Sequence, residues 1–369
     1  MATAETLMEF GAFNKGRDEK DKSMNETDMQ KIPKRGLWAV LQEALFGRRR
    51  QFDCLQVEVS SRCHGRCSYC PHTTMLAQWQ GRDMEMKTFV RLWPLMCRSV
   101  RAHLQGWGEP FLNPDFFAMA AMAKKAGCHV STTTCGLAMD SDRAQSIIAS
   151  GIDIVAFSLV GSDAVGNAPR RGVDFDKVCQ GISTLRMAKE SSKGMYPEIH
   201  LAYLLLASNV EAVAGLPALM QRLGVDSAVI STLDYLAAPG LSGEMFSLGD
   251  GEKIERAATT LREAAAAAER LGLGFHYEFP LPATAGNGCR ENIGRSLFIS
   301  AHGDVSPCVF VNIPAAIVDA NRRVFGNVHE NSPLDIWESA EYRRFRNRLA
   351  HGDPDLPCRN CRKRFGLQS

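Results

Sequence analysis

The chain has 369 residues, 45% hydrophobic and 23% charged, with a formal net charge of +2. This is ordinary globular composition, enough for one large domain and a smaller one, and it gives no electrostatic basis for a nucleic-acid partner. The longest apolar runs, such as Leu201 to Ala207, are too short for a transmembrane segment, and the N-terminus lacks the apolar core of a signal peptide, so a cytoplasmic protein is expected.

Residues 1–50 read as a polar N-terminal extension with a short helix. Within it, Gly36 to Gly47 spaces Leu37, Val40, Leu41 and Leu45 helically and runs into Arg48, Arg49 and Arg50 at the end the helix dipole favours. From 51 to 235 strand-like runs at Leu55–Val59, His103–Gln105, His129–Thr133, Ile154–Ser158, Ile199–Leu206 and Ser227–Ser231 alternate with helix-like stretches. Those stretches are Asp115–Ala126, Ser141–Ala149, Asp174–Lys189 and Val210–Leu223. Repeated strand–helix units predict an α/β fold, a partial (β/α)6 barrel whose chemistry sits at the C-terminal ends of the strands. Residues 236–280 read as a linker loop and an Ala-rich helix over Glu252–Leu271. From 281 to 369 the texture becomes Gly, Pro, Cys and short strands, with a hairpin over Leu297–Val309 turning at His302-Gly303-Asp304 and a helix near Leu334–Leu349. This is a small C-terminal α+β domain.

Of the 12 cysteines, seven form two groups and five (Cys54, Cys97, Cys128, Cys135, Cys179) are scattered as small buried hydrophobes. Clustered cysteines in a cytoplasmic chain point to metal rather than to disulfides. Cys63, Cys67 and Cys70 form C-x(3)-C-x(2)-C directly after the first strand. Three thiolates on one loop can cap three irons of a cubane and leave the fourth open to a ligand. A zinc ion with His64 or His72 as a fourth ligand is the alternative. Cys289, Cys308, Cys358 and Cys361 form the second group, C-x(13)-G-x(4)-C followed by C-x(2)-C. Four cysteines complete one cubane or one structural zinc.

The motif order from Phe52 to Ser231 resembles the radical S-adenosylmethionine (SAM) superfamily. The cysteine loop carries aromatic Tyr69 before its last cysteine. Gly106-Trp-Gly-Glu-Pro110 resembles the Gly-Gly-Glu-Pro motif, with Trp107 in place of a glycine. Thr133-Thr-Cys-Gly136 resembles Thr-Asn-Gly, with Cys135 replacing asparagine. The resemblance implies a 4Fe-4S cluster on Cys63, Cys67 and Cys70, and SAM contacts from Tyr69, Gly106, Gly108, Glu109, Thr134, Ser158 and Asn209. Glu109 can pair with the SAM ammonium, and the glycines admit close backbone approach. The second group resembles the Twitch/SPASM auxiliary-cluster domain, in the one-cluster layout of the 2-deoxy-scyllo-inosamine dehydrogenase type. This implies a second 4Fe-4S cluster on Cys289, Cys308, Cys358 and Cys361.

The implied function is reductive cleavage of SAM to a 5′-deoxyadenosyl radical that takes hydrogen from a substrate, with the second cluster accepting an electron. The expected partners are a small-molecule or peptide/protein substrate and a flavodoxin or ferredoxin electron donor. A non-enzymatic iron–sulfur electron carrier or a zinc scaffold is the rival class. His200, Tyr235 and Arg290 lie near expected site elements, and the sequence assigns them no catalytic role.

Overall fold

A computed structural model describes residues 50–247, 249–277, 289–315, 321–359 and 361–364. The helix expected over Gly36–Gly47 lies outside these residues.

The six expected strands are present and parallel: β1 (Phe52–Val57), β2 (Ser99–His103), β3 (His129–Thr134), β4 (Ile154–Leu159), β5 (Glu198–Leu205) and β6 (Ser227–Thr232). They lie side by side in chain order. The crossovers carry α1 (Phe116–Lys125), α2 (Ser141–Ser150), α3 (Phe175–Ser191) and α4 (Leu216–Leu223). Asp140 caps α2 and Asp174 caps α3 through hydrogen bonds of 2.8 and 2.9 Å from the Arg143 and Lys177 amides. α2 stops where Gly151 turns left-handed at φ 72°.

The single helix expected over Val210–Leu223 is instead a 3-10 segment, Ala207–Gly215, followed by α4. Pro217 explains the break: it lacks an N–H and its ring would clash with a preceding α-turn, yet it fits a helix's first turn.

Two further parallel strands flank the six. β7 (Gly274–Tyr277) follows α5 (Gly251–Arg270) and pairs with β6, so the stretch expected as linker and helix also adds a strand. β8 (Ser296–Ile299) pairs with β1, Cys54 opposite Ser296. β8 then turns at Gly303 (φ 85°) into antiparallel β9 (Asp304–Ser306), which pairs with β10 (Gly326–Asn327). Among the described residues this makes one ten-stranded sheet, in the order β10-β9-β8-β1-β2-β3-β4-β5-β6-β7. The C-terminal segment therefore continues the barrel sheet. Pro333–Glu338 and Ala340–Ala350, α6 and α7, close that end, with Trp337 edge-on to Phe52 at 5.0 Å.

The two faces of the sheet differ. Leu55, Val57, Ala102, Val130, Val155, Phe157, Leu201 and Tyr203 join the helices in the main core. Gln56, Glu58, His103, Gln105, Ser131 and Thr133 alternate with residues of that core, and all are buried. His103 Nδ1 lies 2.9 Å from Ser131 Oγ and its Nε2 3.3 Å from Gln105 Oε1. The Gln105 amide reaches the Gly106 carbonyl, so this network ends at the loop that follows β2.

Candidate active site

The loop after β1 carries Cys63, Cys67 and Cys70. Two backbone bonds lash it to the segment beyond β4: the Arg66 amide donates to the Arg171 carbonyl at 2.7 Å and Ser68 to Pro169 at 2.9 Å. Gly65 lies between two of the sulfurs. A Cβ there would stand 3.3 Å from Val173 Cγ2 and in ordinary contact with Cys63 Sγ (3.5 Å) and Cys67 Sγ (3.7 Å). Burial pushes the Cys63 thiol up to about 11, with Glu109 and Cys67 adding to it, and burial and then Cys67 push Cys70 up to about 12. Thiols crowded in this way resist ionising until a cation shares the site, and a bound iron core supplies that charge. The donor set fits a cluster.

The loop after β2 packs directly on the cysteine loop. A Cβ on Gly108 would stand 2.3 Å from the Ser60 carbonyl oxygen and 2.6 Å from that of Arg62, so only glycine permits the contact. A Cβ on Gly106 would likewise stand 2.5 Å from the buried Glu58 side chain. The Glu109 amide donates to the Arg62 carbonyl at 2.7 Å. The Glu109 carboxylate is buried and accepts three bonds: from Thr134 Oγ1 (2.7 Å), the Cys135 amide (2.6 Å) and the Phe111 amide (3.3 Å). These fix its orientation beside the cysteine loop.

Arg170 was not found by sequence reasoning. It is buried, donates to the Ser158 carbonyl and lies within electrostatic reach of Tyr69 and Cys67. Burial opposes its charge, but Tyr69, Cys67 and Cys135 outweigh burial and hold the guanidinium above its ordinary pKa. Tyr69 also bonds to Cys67, and burial raises its phenol well above the usual range.

The second cysteine group converges in space. Cys289, Cys308, Cys358 and Cys361 line one cavity of about 410 Å³ together with Asp234, Glu291, Phe310 and Lys363. The Arg290 amide donates to the Lys363 carbonyl at 2.9 Å, tying the two halves of the group together. Burial raises all four thiols, Cys358 to about 12.

A smaller cavity of about 50 Å³ lies between the two groups, with Cys70, Tyr69 and Trp107 among its lining residues. Asp234, Tyr235 and Phe310 line both cavities. Trp107 ties the sides together: its Nε1 donates to the Val309 carbonyl at 3.1 Å, next to Cys308, and its ring meets Tyr235 at 5.7 Å and Phe310 at 6.0 Å.

Residues 57–197 match the radical SAM superfamily, and residues 289–362 match SPASM, an iron–sulfur cluster-binding domain. The chain carries a radical SAM domain followed by a SPASM domain. It is similar to PqqA peptide cyclase of Granulibacter bethesdensis, 25% identical over 317 residues, covering 84% of this chain and 79% of that protein. It is also similar to the tungsten-containing aldehyde ferredoxin oxidoreductase cofactor-modifying protein of Pyrococcus furiosus, 25% identical over 308 residues, covering 79% of this chain and 82% of that protein. Streptococcus suis SuiB bound to precursor peptide SuiA shares the fold, with TM-score 0.60 at 15% identity over 92% of this chain and 78% of SuiB. SuiB bound to S-adenosylmethionine aligns at TM-score 0.58 and 15% identity, over 93% and 78%. No described helix is long and apolar enough to cross a membrane.

Within the radical SAM domain, Glu109, Gly106, Gly108, Thr134 and Tyr69 gather around the cysteine loop, while Ser158 offers its carbonyl to Arg170. Asn209 is placed differently. Its carbonyl oxygen accepts from the Leu206 amide at 2.8 Å and its amide donates to Val160 and Leu204 carbonyls, so it fastens the ends of β4 and β5. His200 is buried against Glu198 at 3.0 Å. Arg170 and Asp234 lie in loops without a motif, and Lys363 lies in the short 3-10 helix Arg362–Arg364 just after Cys361. Only their sharing a neighbourhood with cysteines marks them, and that is visible only in three dimensions.

Proposed function

We propose that this chain is a radical SAM maturase that oxidises or crosslinks a peptide or protein substrate. The observation that carries this reading is the aromatic pocket between the two cysteine groups, walled by Tyr69, Trp107, Tyr235 and Phe310. The names of the similar proteins, peptide cyclases and a cofactor-modifying protein, support a maturase over a carrier.

Cys63, Cys67 and Cys70 would hold the catalytic 4Fe-4S cluster with one iron left open. Such a cluster, reduced by a flavodoxin or ferredoxin, would supply the electron for reductive cleavage of SAM and so the 5′-deoxyadenosyl radical that removes a hydrogen atom from the substrate. The chain's own part is positioning. Glu109, held by Thr134 and the Cys135 amide, presents a carboxylate to the SAM ammonium. Arg170 presents a guanidinium suited to the SAM carboxylate. Gly106 and Gly108 bring the loop backbone close, and Asn209 holds the strand ends that frame the site. The aromatic walls would keep water from a reactive intermediate.

Cys289, Cys308, Cys358 and Cys361 would hold an auxiliary 4Fe-4S cluster with every iron ligated, which suits accepting an electron rather than binding substrate. None of the twelve cysteines is paired in a disulfide, which suits the cytoplasm. Changing Cys358 and Cys361 together to alanine tests the reading. The variant should lose about four irons per chain, keep SAM cleavage and fail to convert the substrate. Full product formation without the second cluster would sink the electron-acceptor role. Zinc at this site in protein prepared without oxygen would sink the cluster.

A further inference from the structure

The auxiliary cavity contains a charge arrangement that four cysteines do not require. Lys363, two residues after Cys361, is buried with 4% of its side chain exposed. Its Nζ lies 2.6 Å from Asp234 Oδ2, 3.8 Å from Glu291 Oε1 and 5.5 Å from the centre of the Phe310 ring. Glu291, two residues after Cys289, is 2% exposed, and Asp234 is 10% exposed. Thr232 Oγ1 donates to Asp234 Oδ1 at 2.8 Å, fixing the second carboxylate. Arg364, the neighbouring cation, is engaged with the Cys358 and Arg359 carbonyls.

We propose that Lys363 sets the reduction potential of the auxiliary cluster, offsetting Glu291 and Asp234 so that the cluster can accept an electron. This rests on the reading of the site as a cluster. Reduction adds a negative charge to a group already held by four thiolates. In a buried, low-dielectric cavity a nearby cation favours that added charge and a nearby carboxylate opposes it. With Lys363 in place the three side chains sum to a single negative charge; without it two carboxylates face the cluster. Lys363 acts through the cluster and touches no reacting atom, so it is a tuning residue rather than a catalytic one.

The test is a redox titration of the full chain with both clusters, followed by electron paramagnetic resonance, using SAM addition to mark the signal of the open cluster. Lys363→Met should move the auxiliary potential downward by on the order of tenfold in the electron-transfer equilibrium, about 59 mV for one electron. Lys363→Arg should restore the parent value, and Glu291→Gln should move it upward. A purely structural role predicts no such opposition of sign. Unchanged potentials, or shifts of the same sign in Lys363→Met and Glu291→Gln, would overturn the proposal. Should Lys363→Met lose the cluster, Glu291→Gln decides alone: a rise supports the proposal, and no change or a fall overturns it. Finding no second cluster in the parent protein would instead overturn the reading of the site on which the proposal rests.

Discussion

Replacing Glu109 with glutamine perturbs the site at its best-defined carboxylate. The shape is retained and the charge removed. Three donors converge on Glu109 in the fold: Thr134 Oγ1 at 2.7 Å, the Cys135 amide at 2.6 Å and the Phe111 amide at 3.3 Å. A glutamine can turn only one oxygen toward them. With that oxygen on the Cys135 amide, its NH2 meets Thr134, whose hydroxyl can rotate to accept, and Phe111, whose N–H cannot. The preorganisation is therefore largely kept at the cost of one weak bond. What is lost is the charge-assisted bond to the SAM ammonium, about 1–3 kcal/mol. At about 1.4 kcal/mol per tenfold this corresponds to roughly 5- to 150-fold weaker SAM binding. Anaerobic calorimetry on cluster-loaded protein measures it, with iron content confirming that the cluster remains. Unchanged SAM affinity with an intact cluster would refute the placement of SAM against Glu109.

Two further perturbations test the surroundings. Gly108→Ala should destabilise the chain by about 1–3 kcal/mol, because the added methyl meets the Ser60 and Arg62 backbone at 2.3 and 2.6 Å; thermal unfolding reads this, Gly243→Ala in open space serves as control, and equal melting of the two variants would count against the close packing of the loops. Burial lowers His103 to about 4 from its ordinary 6.5, so the unfolded chain takes up a proton that the folded chain refuses. Its contribution to stability is therefore fully present above pH 6.5 and lost as pH falls toward 4. His103→Gln should flatten the acid limb of a urea-midpoint profile over that range, and an unchanged slope would remove His103 from the account.

The parts of this molecule legible in its sequence are those that repeat a local pattern. Period-two runs and intervening amphipathic stretches gave the six central strands, and the cysteine loop, GWGEP and TTCG stand at strand ends where the fold puts them. Strand β2 begins at Ser99 rather than His103, and Ser99-Val-Arg-Ala-His103 alternates polar and apolar, so its earlier start was a readable period-two signal. Strands β7 and β8 are short, and their place in the main sheet comes from pairing with β6 and β1, which no local signal reports. Pro217 was a readable signal that the helix through Val210 could not be continuous. Arg170 and the Lys363–Asp234 pair were not readable. Their importance arises from burial beside groups distant in sequence, Arg170 near Cys67 and Lys363 against Asp234, whereas surface arginines and lysines are ordinarily solvated.

We propose that the two separate cysteine groups hold two clusters and that only the first supports SAM cleavage. The most direct test is iron and 5′-deoxyadenosine measured together on the parent chain and on the Cys63/Cys67/Cys70→Ala variant, both prepared without oxygen and reduced in the presence of SAM. We expect about eight irons in the parent, about four in the variant, and 5′-deoxyadenosine from the parent alone. A variant that still forms 5′-deoxyadenosine at the parent rate, or a parent that contains zinc in place of iron, would contradict the account.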